Sequence, residues 1–587
     1  MWVLGISPSH DASAALVRDG VVVAAVAEER LSRIKGDGGQ LPRRAIDHVL
    51  GAAGLTRHDV DCIALVADRF PADCFRHPQL ARELERRLRR WRHRLRGRPV
   101  RDVSLGAVQR ALARAGRDSS VDPYLYRGRF LAREGFRADA QLRSYDHHLA
   151  HAMAAIWGSG FEEAAVVTAD GVGHLGIHHT SSVFRDGRLV RVAMSDDPGA
   201  SAGWFYESIT ALLGFRPLRH EGKVLGLAAF GDPKPLYETL RRALRCAPSG
   251  RALTSEFVGQ PRAAARRFAF LKDAIRGHPR EDVAAAAQKV LEDAVLPLVQ
   301  TAVEDAGTRH VALNGGIFAN VRLNQHIGQR LGLDRLFVFP GMSDTGNSVG
   351  AAVLGLADLD GGAAARSRGP LTDVYWGRAY ADDEIRAVLD AAGLAYRRLA
   401  PETLVSTVAH AIRDGLVVGW FQGRMEFGPR ALGNRSIVAT PVDAAINRRL
   451  NDRLSRTEFM PFAPSVLAGH APEVFEGAAA VAHTAEFMTV TLDVLPAWRA
   501  RIPAVVHVDG TARPHVVRRD CNPLYHDLID RFRQLTGIPL VLNTSFNVHE
   551  EPIVCAPGEA VRAFVEDRVD SLAIGPFWVT RSERVSQ

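Results

Sequence analysis

The chain has 587 residues, 47% hydrophobic and 24% charged, with 52 Gly and 30 Pro. This composition predicts a globular protein of two or more domains and excludes collagen-like, mucin-like and wholly disordered classes. The formal net charge is +8, but residues 82–101 alone hold ten Arg against Glu83 and Glu85. The rest of the chain is neutral overall, which argues against a nucleic-acid partner. We interpret 82–101 as an amphipathic surface helix, with an acidic or phosphate-rich partner as the alternative.

Cysteine usage and hydropathy bear on the compartment. The five Cys form no CxxC pair and their number is odd, which is typical of a reducing compartment. The first residues lack the basic segment of a signal peptide, and no run of 18 uncharged apolar residues is present. We expect a cytoplasmic protein with no membrane partner.

The chain opens with an apolar strand at residues 3–7, a polar turn and a second apolar run at 12–17. Asp19-Gly20 predicts a hairpin into a third strand at 21–26. Actin-like ATPase folds begin with such a strand–turn–strand, although many other hairpins share the pattern.

Three later strands are predicted to end in polar or glycine residues. They are followed by Asp170, by Asn314 and by a loop that contains Asp344. In open α/β sheets, loops and helix N-termini converge at the carboxyl ends of strands, so we expect a nucleotide site there. A shift to Gly-, Ala- and Arg-rich sequence near residues 357–372 predicts a domain boundary.

Two histidines, His147 and His151, lie four residues apart in a stretch without Pro or Gly at 149–156. On a helix both rings face one side and can bind one metal ion, although an isolated pair at this spacing is more often structural. Carboxylates must supply the remaining ligands, and Asp170 and Asp344 are the candidates. Two His and two Asp suit Fe(II), Mn(II) or Zn(II).

Candidate phosphate-binding residues occur in both halves. Gly315 and Gly316 offer unhindered N–H groups after a strand, and Lys223 is one of only five lysines. In the C-terminal half, residues 423–436 hold three Arg within Gly- and Pro-containing turns. Guanidinium groups bind tetrahedral oxyanions bidentately, so this cluster predicts a phosphate-bearing substrate. Plain turns and surface charges are the alternatives for each single residue.

Nine motifs in order resemble the NodU/CmcH family of O-carbamoyltransferases over nearly the whole chain. They are HDASAAL (10–16), DHHLAHA (146–152), ADGVG (169–173), HEGKVLGLAA (220–229), NGGIFANV (314–321), GRMEFGPRALGNRS (423–436), EFMPFAPSV (458–466), HVDGTARPH (507–515) and LNTSFN (542–547).

The resemblance implies an α/β protein with two domains and two sites. Residues 1–365 would form an actin-like, duplicated domain with the metal site, similar to the tRNA threonylcarbamoyl transferases. Residues 373–587 would form an α+β, YrdC-like domain that makes carbamoyl adenylate from carbamoyl phosphate and Mg-ATP. The first domain would hold the adenylate beside a metal, usually iron, and pass the carbamoyl group to a hydroxyl of a small-molecule acceptor.

The family's functional residues carry over onto matching positions. The metal ligands fall on His147, His151, Asp170 and Asp344. Nucleotide contacts in the first domain fall on Lys35, Gly315, Gly316 and Asn347. Contacts to carbamoyl phosphate and ATP in the second domain fall on Arg430, Asn434, Arg435, Arg456, Arg513, Ser545 and Asn547.

Two positions depart from the family pattern. Ser455 precedes Arg456 where relatives often have Lys, and His549-Glu550 stands where they often have Arg-Gly. Either the grip on phosphate is weaker or a neighbouring Arg substitutes.

The acceptor hydroxyl needs a general base, for which His10, Asp11 and Glu221 are candidates that the sequence does not rank.

Other activities are weighed against this interpretation. A tRNA-modifying transferase and an actin-fold small-molecule kinase share parts of the pattern, and a scaffold would have no use for two phosphate-binding sets. The sequence leaves the identity of the acceptor open, and it also leaves open whether the protein forms a homodimer. The ratio of 69 Arg to 5 Lys suggests a GC-rich genome, and from it we expect an antibiotic or another secondary metabolite as the acceptor.

Overall fold

A computed structural model describes residues 1–66, 69–70, 74, 103–104, 126–362, 369–455, 459–477 and 479–581. The Arg-rich segment 82–101 lies outside the described residues, as do most of the residues that flank it. Arg456 lies outside them as well. The protein is a mixed α/β structure with several sheets. Among the helices of the described ranges, none combines the length and apolarity that crossing a bilayer requires.

The first sheet contains the predicted opening strands. The first seven strands are β1 (Trp2–Ser7), β2 (Ser13–Arg18), β3 (Val21–Ala27), β4 (Cys62–Leu65), β5 (Arg69–Phe70), β6 (Val103–Ser104) and β7 (Gln141–Ser144). The order of the first sheet is β3-β2-β1-β4-β7, with β2 antiparallel to both β1 and β3, and with β4 and β7 running parallel to β1.

The second sheet repeats this topology. Its strands are β8 (Ala164–Ala169), β9 (His179–Arg185), β10 (Arg188–Ser195), β13 (His310–Asn314) and β14 (Arg335–Val338). Strands β11 (Arg245–Cys246) and β12 (Leu253–Thr254) form a separate two-stranded ribbon. The order β10-β9-β8-β13-β14 has the same succession of antiparallel and parallel pairs as the first sheet. One topology therefore occurs twice within residues 2–338.

The helices of this part pack against both sheets. They are α1 (Glu28–Ser32), α2 (Arg43–Ala52), α3 (Arg127–Glu134), α4 (His147–Ser159), α5 (Ala202–Leu212), α6 (Glu221–Ala228), α7 (Tyr237–Arg241), α8 (Ala263–Ala274), α9 (Arg280–Ala306), α10 (Val321–Arg330) and α11 (Asn347–Asp360). Helices α4 and α11 lie directly against each other in the core. Gly350 permits this approach, because a Cβ there would lie 1.9 Å from the carbonyl oxygen of Ala150.

The C-terminal part contains a mixed sheet of eight strands, ordered β15-β25-β24-β16-β17-β23-β18-β22, and a small sheet β19-β20-β21. The strands are β15 (Arg397–Arg398), β16 (Val418–Phe421), β17 (Arg435–Ala439), β18 (Ala463–Leu467), β19 (Phe475–Glu476), β20 (Leu492–Val494), β21 (Thr511–Ala512), β22 (His515–Val517), β23 (Leu540–Ser545), β24 (Ser571–Ile574) and β25 (Phe577–Thr580). The helices are α12 (Asp382–Ala391), α13 (Pro401–Arg413), α14 (Ala445–Arg453), α15 (Ala471–Val474), α16 (Ala482–Ala485), α17 (Pro496–Arg499), α18 (Pro523–Thr536) and α19 (Pro557–Val565).

Arginines join the two parts through backbone carbonyls. Arg30 donates to the carbonyl of Gly428 at 2.8 Å, and Arg33 donates to Pro552 at 2.7 Å and to Ile553 at 2.8 Å. Guanidinium groups that reach carbonyls of a distant segment satisfy both partners without a carboxylate. The N-terminal strands are therefore fixed against the loops of the C-terminal sheet.

Candidate metal centre and anion-binding loops

Helix α4 brings the two predicted histidines together. It begins at His147 because the carboxylate of Asp146 accepts the N–H of Leu149, which caps the first turn. His147 and His151 are one turn apart, and their Nε2 atoms lie 3.1 Å from each other. The stretch predicted to be helical is helical, and it aims both imidazoles at one point.

The two predicted carboxylates reach the same point from the second sheet. Asp170 follows β8, and its Oδ2 lies 3.5 Å from Nε2 of His147 and 3.3 Å from Nε2 of His151. Asp344 follows β14 in a short 3₁₀ turn, and its Oδ1 lies 3.3 Å and 3.5 Å from the same two nitrogens. All four donor atoms lie within 4.8 Å of one another.

These separations suit a metal ion. Four atoms at the corners of a regular tetrahedron with edges of about 3.3 Å are each about 2.0 Å from its centre, which is the usual distance from a metal ion to nitrogen and oxygen ligands. Oδ1 of Asp344 is buried without a hydrogen-bond donor among the described residues. An acceptor in that state is what a cation would complete. Two imidazoles and two carboxylates could hold Fe(II), Mn(II) or Zn(II).

The acidic and basic side chains of this cluster shift one another's pKa. Burial by itself would lower the pKa of His151, but the adjacent carboxylates of Asp170 and Asp344 outweigh it and raise that pKa to about 9. Burial opposes ionisation of Asp170 as well, yet the two histidines hold its pKa below the ordinary value. The carboxylates are therefore ionised, and without a metal ion His151 carries compensating charge.

The turn between β1 and β2 places two of the three candidate bases beside the metal centre. Nδ1 of His10 lies 2.9 Å from Oδ2 of Asp344, and its Nε2 lies 3.4 Å from Oδ2 of Asp11. Glu221 begins α6, and its Oε1 accepts the N–H of Leu218 at 2.7 Å. Of these three described residues, only His10 directly contacts a candidate metal ligand, Asp344.

The proposed nucleotide contacts of the first part differ in position. Gly315 adopts φ +106°, and a Cβ there would lie 2.2 Å from the carbonyl of Ala169, so only glycine fits. Gly316 lies next to the Asp170 carboxylate. The Nδ2 atom of Asn347 lies 3.4 Å from Nδ1 of His147, which puts this amide in the metal centre.

The two lysines proposed for nucleotide binding lie near α6. Lys223 is buried within this helix. The carbonyl oxygen of Lys35 accepts a short hydrogen bond from Arg219. Both lysines are therefore close to the helix that Glu221 begins.

Arg430 is the arginine whose surroundings most favour an anion. Burial lowers its pKa well below the ordinary value, and the charge of Arg513 lowers it further. Its Nε is buried without an acceptor, and no ion pair joins its guanidinium to a carboxylate of the described ranges. Two neighbouring guanidinium groups in such a setting are stabilised by a bound oxyanion.

Other predicted phosphate contacts are engaged within the protein. Arg435 is fully buried, and its terminal nitrogens donate to four backbone carbonyls, those of Arg378, Gln422, Gly423 and Asn434. The side chain of Asn434 bonds to the carbonyl of Arg424 and to Asn522. These two residues brace the loop that carries Arg430.

Ser545 is the last residue of β23, and Asn547 follows two residues later. The hydroxyl of Ser545 donates to Oδ1 of Asn547 at 2.5 Å, and Nδ2 of Asn547 donates to the carbonyl of Glu551 at 2.8 Å. Sequence reasoning did not detect that the residues after Asn547 contact α6. No local pattern signals a contact between positions 330 residues apart.

Comparison with known proteins gives the family. The model described as "Carbamoyltransferase N-terminus" matches residues 2–353, and "Carbamoyltransferase C-terminus" matches residues 409–581. The chain is similar to Nodulation protein NolNO of Sinorhizobium fredii, with 34% identity over 97% of this chain and 79% of the relative. It is also similar to Nodulation protein NolO of Bradyrhizobium diazoefficiens, with 34% identity over 74% of this chain and 79% of the relative.

A third relative aligns with this chain over nearly the full length of both proteins. It is the uncharacterized protein sll1178 of Synechocystis, with 32% identity over 99% of this chain and 97% of the relative. Both family models match in order, and these relatives are covered over most of their length. The chain therefore belongs to the carbamoyltransferase family and is an enzyme that transfers carbamoyl groups.

Proposed function

We propose that the protein is an ATP-dependent O-carbamoyltransferase that works in two steps at two sites. In the first step, carbamoyl phosphate, ATP and water give carbamoyl adenylate, phosphate and pyrophosphate. In the second step, the oxygen of an acceptor hydroxyl bonds to the carbamoyl carbon, AMP leaves, and the hydroxyl proton passes to a base. The acceptor is a small molecule, for which we propose an antibiotic or another secondary metabolite.

The observation that carries the proposal is the convergence of His147, His151, Asp170 and Asp344. These residues would hold a divalent ion, which would supply Lewis-acid stabilisation of charge on the adenylate during transfer. Gly315 packs against the backbone of Ala169 and Gly316 lies beside the carboxylate of Asp170, which places the backbone of both glycines next to the cluster. The repeated sheet topology supports the actin-like assignment of residues 1–365.

Geometry ranks the candidate bases of the transfer step. Both ring nitrogens of His10 face carboxylate oxygens, so both act as donors and neither offers a lone pair. Glu221 already accepts a backbone N–H. Asp11 is partly exposed, with 30% of its side-chain surface accessible, and an ionised carboxylate can accept a proton. We therefore assign proton removal to Asp11 and its orientation to His10.

The first step belongs to the C-terminal part, residues 373–587, in a YrdC-like domain. Arg430 and Arg513 form a half-buried cationic pair that favours a phosphate dianion such as carbamoyl phosphate. Asn434 and Arg435 hold the loop in shape from behind. Ser545 and Asn547 contribute polar groups at the end of β23. Arg456 completes the proposed set from outside the described residues.

The test separates the two steps. Pyrophosphate release is measured with ATP and carbamoyl phosphate, without acceptor, and each cosubstrate is then omitted in turn. Release that requires both supports the proposal, whereas production of ADP would favour a kinase. His147→Ala should abolish transfer and leave pyrophosphate release within about twofold of wild type. Equal loss of both would contradict the division into two sites.

A further inference from the structure

Glu550 connects the C-terminal sheet to the residues that lead into α6. It lies five residues after the end of β23, and its Oε1 is 2.8 Å from Nε2 of His220. Its Oε2 accepts a hydrogen bond of 2.6 Å from Nη1 of Arg216. His220 directly precedes α6 and Glu221. One carboxylate therefore ties two segments that are 330 residues apart in sequence.

Hydrogen bonding fixes the tautomer of His220. The backbone N–H of Arg216 donates to Nδ1 at 3.2 Å, so Nδ1 holds a lone pair and the proton is on Nε2. Nε2–H then donates to Glu550. His549 lies nearby, and the three side chains resemble a metal-ligand set. A metal ion on Nε2 would need the opposite tautomer, so we interpret the cluster as an Arg216–Glu550 ion pair to which His220 donates a hydrogen bond.

The backbone at Glu550 is strained. Its φ is +62°, a left-handed conformation that glycine adopts freely and that costs other L-residues free energy. The contacts of its side chain to Arg216 and His220 offset part of that cost.

The same loop borders the proposed phosphate site. The N–H of His549 donates to the carbonyl of Leu454 at 2.9 Å, next to Ser455. Asn547 holds the loop closed through the carbonyl of Glu551. The loop 545–551 thus carries two proposed phosphate contacts, Ser545 and Asn547, and its Glu550 reaches the residue that precedes α6.

We propose that Glu550 is a positioning residue that locks the loop 545–551 to the start of α6 and thereby keeps newly formed carbamoyl adenylate on the enzyme until an acceptor arrives. This inference rests on the proposed two-step function. Glu550 touches no reacting atom in this scheme. It acts by holding the two sites in one arrangement, through Arg216 and His220.

The variants follow from the geometry. Glu550→Gly removes the carboxylate and relieves the left-handed strain, so the fold should be retained. Glu550→Gln keeps the side-chain shape and removes the charge. Glu551→Gln is the matched control, because the carboxylate of Glu551 pairs with Arg562, at 3.6 Å on the surface, and not with Arg216 or His220.

Two measurements test the lock with ATP and carbamoyl phosphate as the only substrates. In wild type and Glu551→Gln we expect one rapid equivalent of pyrophosphate per chain, followed by slow turnover. In Glu550→Gly the steady rate after that equivalent should rise at least fivefold, as adenylate escapes to water. Amide hydrogen exchange in residues 216–224 should accelerate at least tenfold in the same variant, and by less in Glu550→Gln.

The outcomes separate the lock from the proposed function. Unchanged exchange in Glu550→Gly would overturn the lock, and faster exchange with an unchanged steady rate would reduce the contact to a structural one. Absence of pyrophosphate release in wild type would refute the two-step function and the retention role with it. The exchange comparison would still decide whether Glu550 holds the two segments together.

Discussion

Asn347 should control metal affinity through the orientation of His147. Its Nδ2 lies 3.4 Å from Nδ1 of His147 and 3.2 Å from Nε2 of His151, while its Oδ1 is buried without a donor among the described residues. A metal ion on Nε2 of His147 requires the proton on Nδ1. The Asn347 amide must then turn by half a rotation, so that Oδ1 accepts this proton and its unsatisfied state is relieved.

The magnitude follows from that single hydrogen bond. Partners that orient a metal-binding histidine typically change metal affinity 10- to 100-fold, which corresponds to about 1.4–2.8 kcal/mol. Asn347→Leu keeps similar volume and removes the acceptor, so we expect a loss in this range. Asn347→Asp supplies a stronger acceptor, so we expect affinity equal to or above that of wild type.

The assay is competition for Zn(II) or Co(II) against a chromophoric chelator, with thermal midpoints in excess chelator as the control for folding. A Leu variant that folds like wild type and binds the ion equally tightly would refute the reasoning. So would equal losses in the Leu and Asp variants, because they would show that only the amide itself is tolerated. Either result would return Asn347 to the nucleotide-binding role that the sequence suggested.

The remaining predictions concern stability and anion binding. Burial raises the pKa of Glu486 to about 7 despite the opposing charge of Arg518. Between pH 4.5 and 7 the unfolded state binds fewer protons than the folded state, so the free energy of unfolding should fall by up to about 3 kcal/mol as pH rises. Glu486→Gln should remove that slope in denaturant titrations. Phosphate at 100 times its dissociation constant should stabilise the fold by about 2.7 kcal/mol, and Arg430→Met should abolish the rise in thermal midpoint, whereas an equal rise in the variant would locate phosphate elsewhere. Gly350→Val should separate α4 from α11, because a Cβ at position 350 would lie 1.9 Å from the carbonyl oxygen of Ala150. We expect a destabilisation of about 1–3 kcal/mol or more and a loss of metal binding. Unchanged metal binding would contradict this.

The sequence predicts the metal set because each ligand follows from a local rule. Helical spacing places His147 and His151 on one face, and strand ends place Asp170 and Asp344 at the edge of one sheet. The contact between Glu550 and His220 follows no such rule, because it depends on how two distant parts of the chain pack.

Arginine chemistry shows a second limit of sequence reasoning. Arg430 and Arg435 are five residues apart and look equivalent in a motif. In the structure, the terminal nitrogens of Arg435 donate to four carbonyl oxygens, whereas the guanidinium of Arg430 donates to no acceptor among the described residues. Only the position of neighbouring backbone decides whether a buried guanidinium is already satisfied or is available to a ligand.

The repeated topology explains why the centre forms where it does. In each repeat, the first strand turns into a hairpin and the last strand leads into a helix. The first-repeat hairpin carries His10, and the equivalent turn of the second carries Asp170. The helix after the last strand begins at His147 in one repeat, and Asp344 precedes the equivalent helix in the other.

The two repeats therefore supply different chemistry from equivalent places. The first contributes the imidazoles and the second the carboxylates, so neither repeat alone could assemble the set. The sequence shows no internal repeat, because the same strand order and burial can be kept by unrelated side chains. Divergence of the two halves is then a requirement of the site, since a symmetric pair would place four imidazoles or four carboxylates around one ion. Gly350 allows α4 to lie close against α11, and the four donor atoms from the two repeats lie within 4.8 Å of one another.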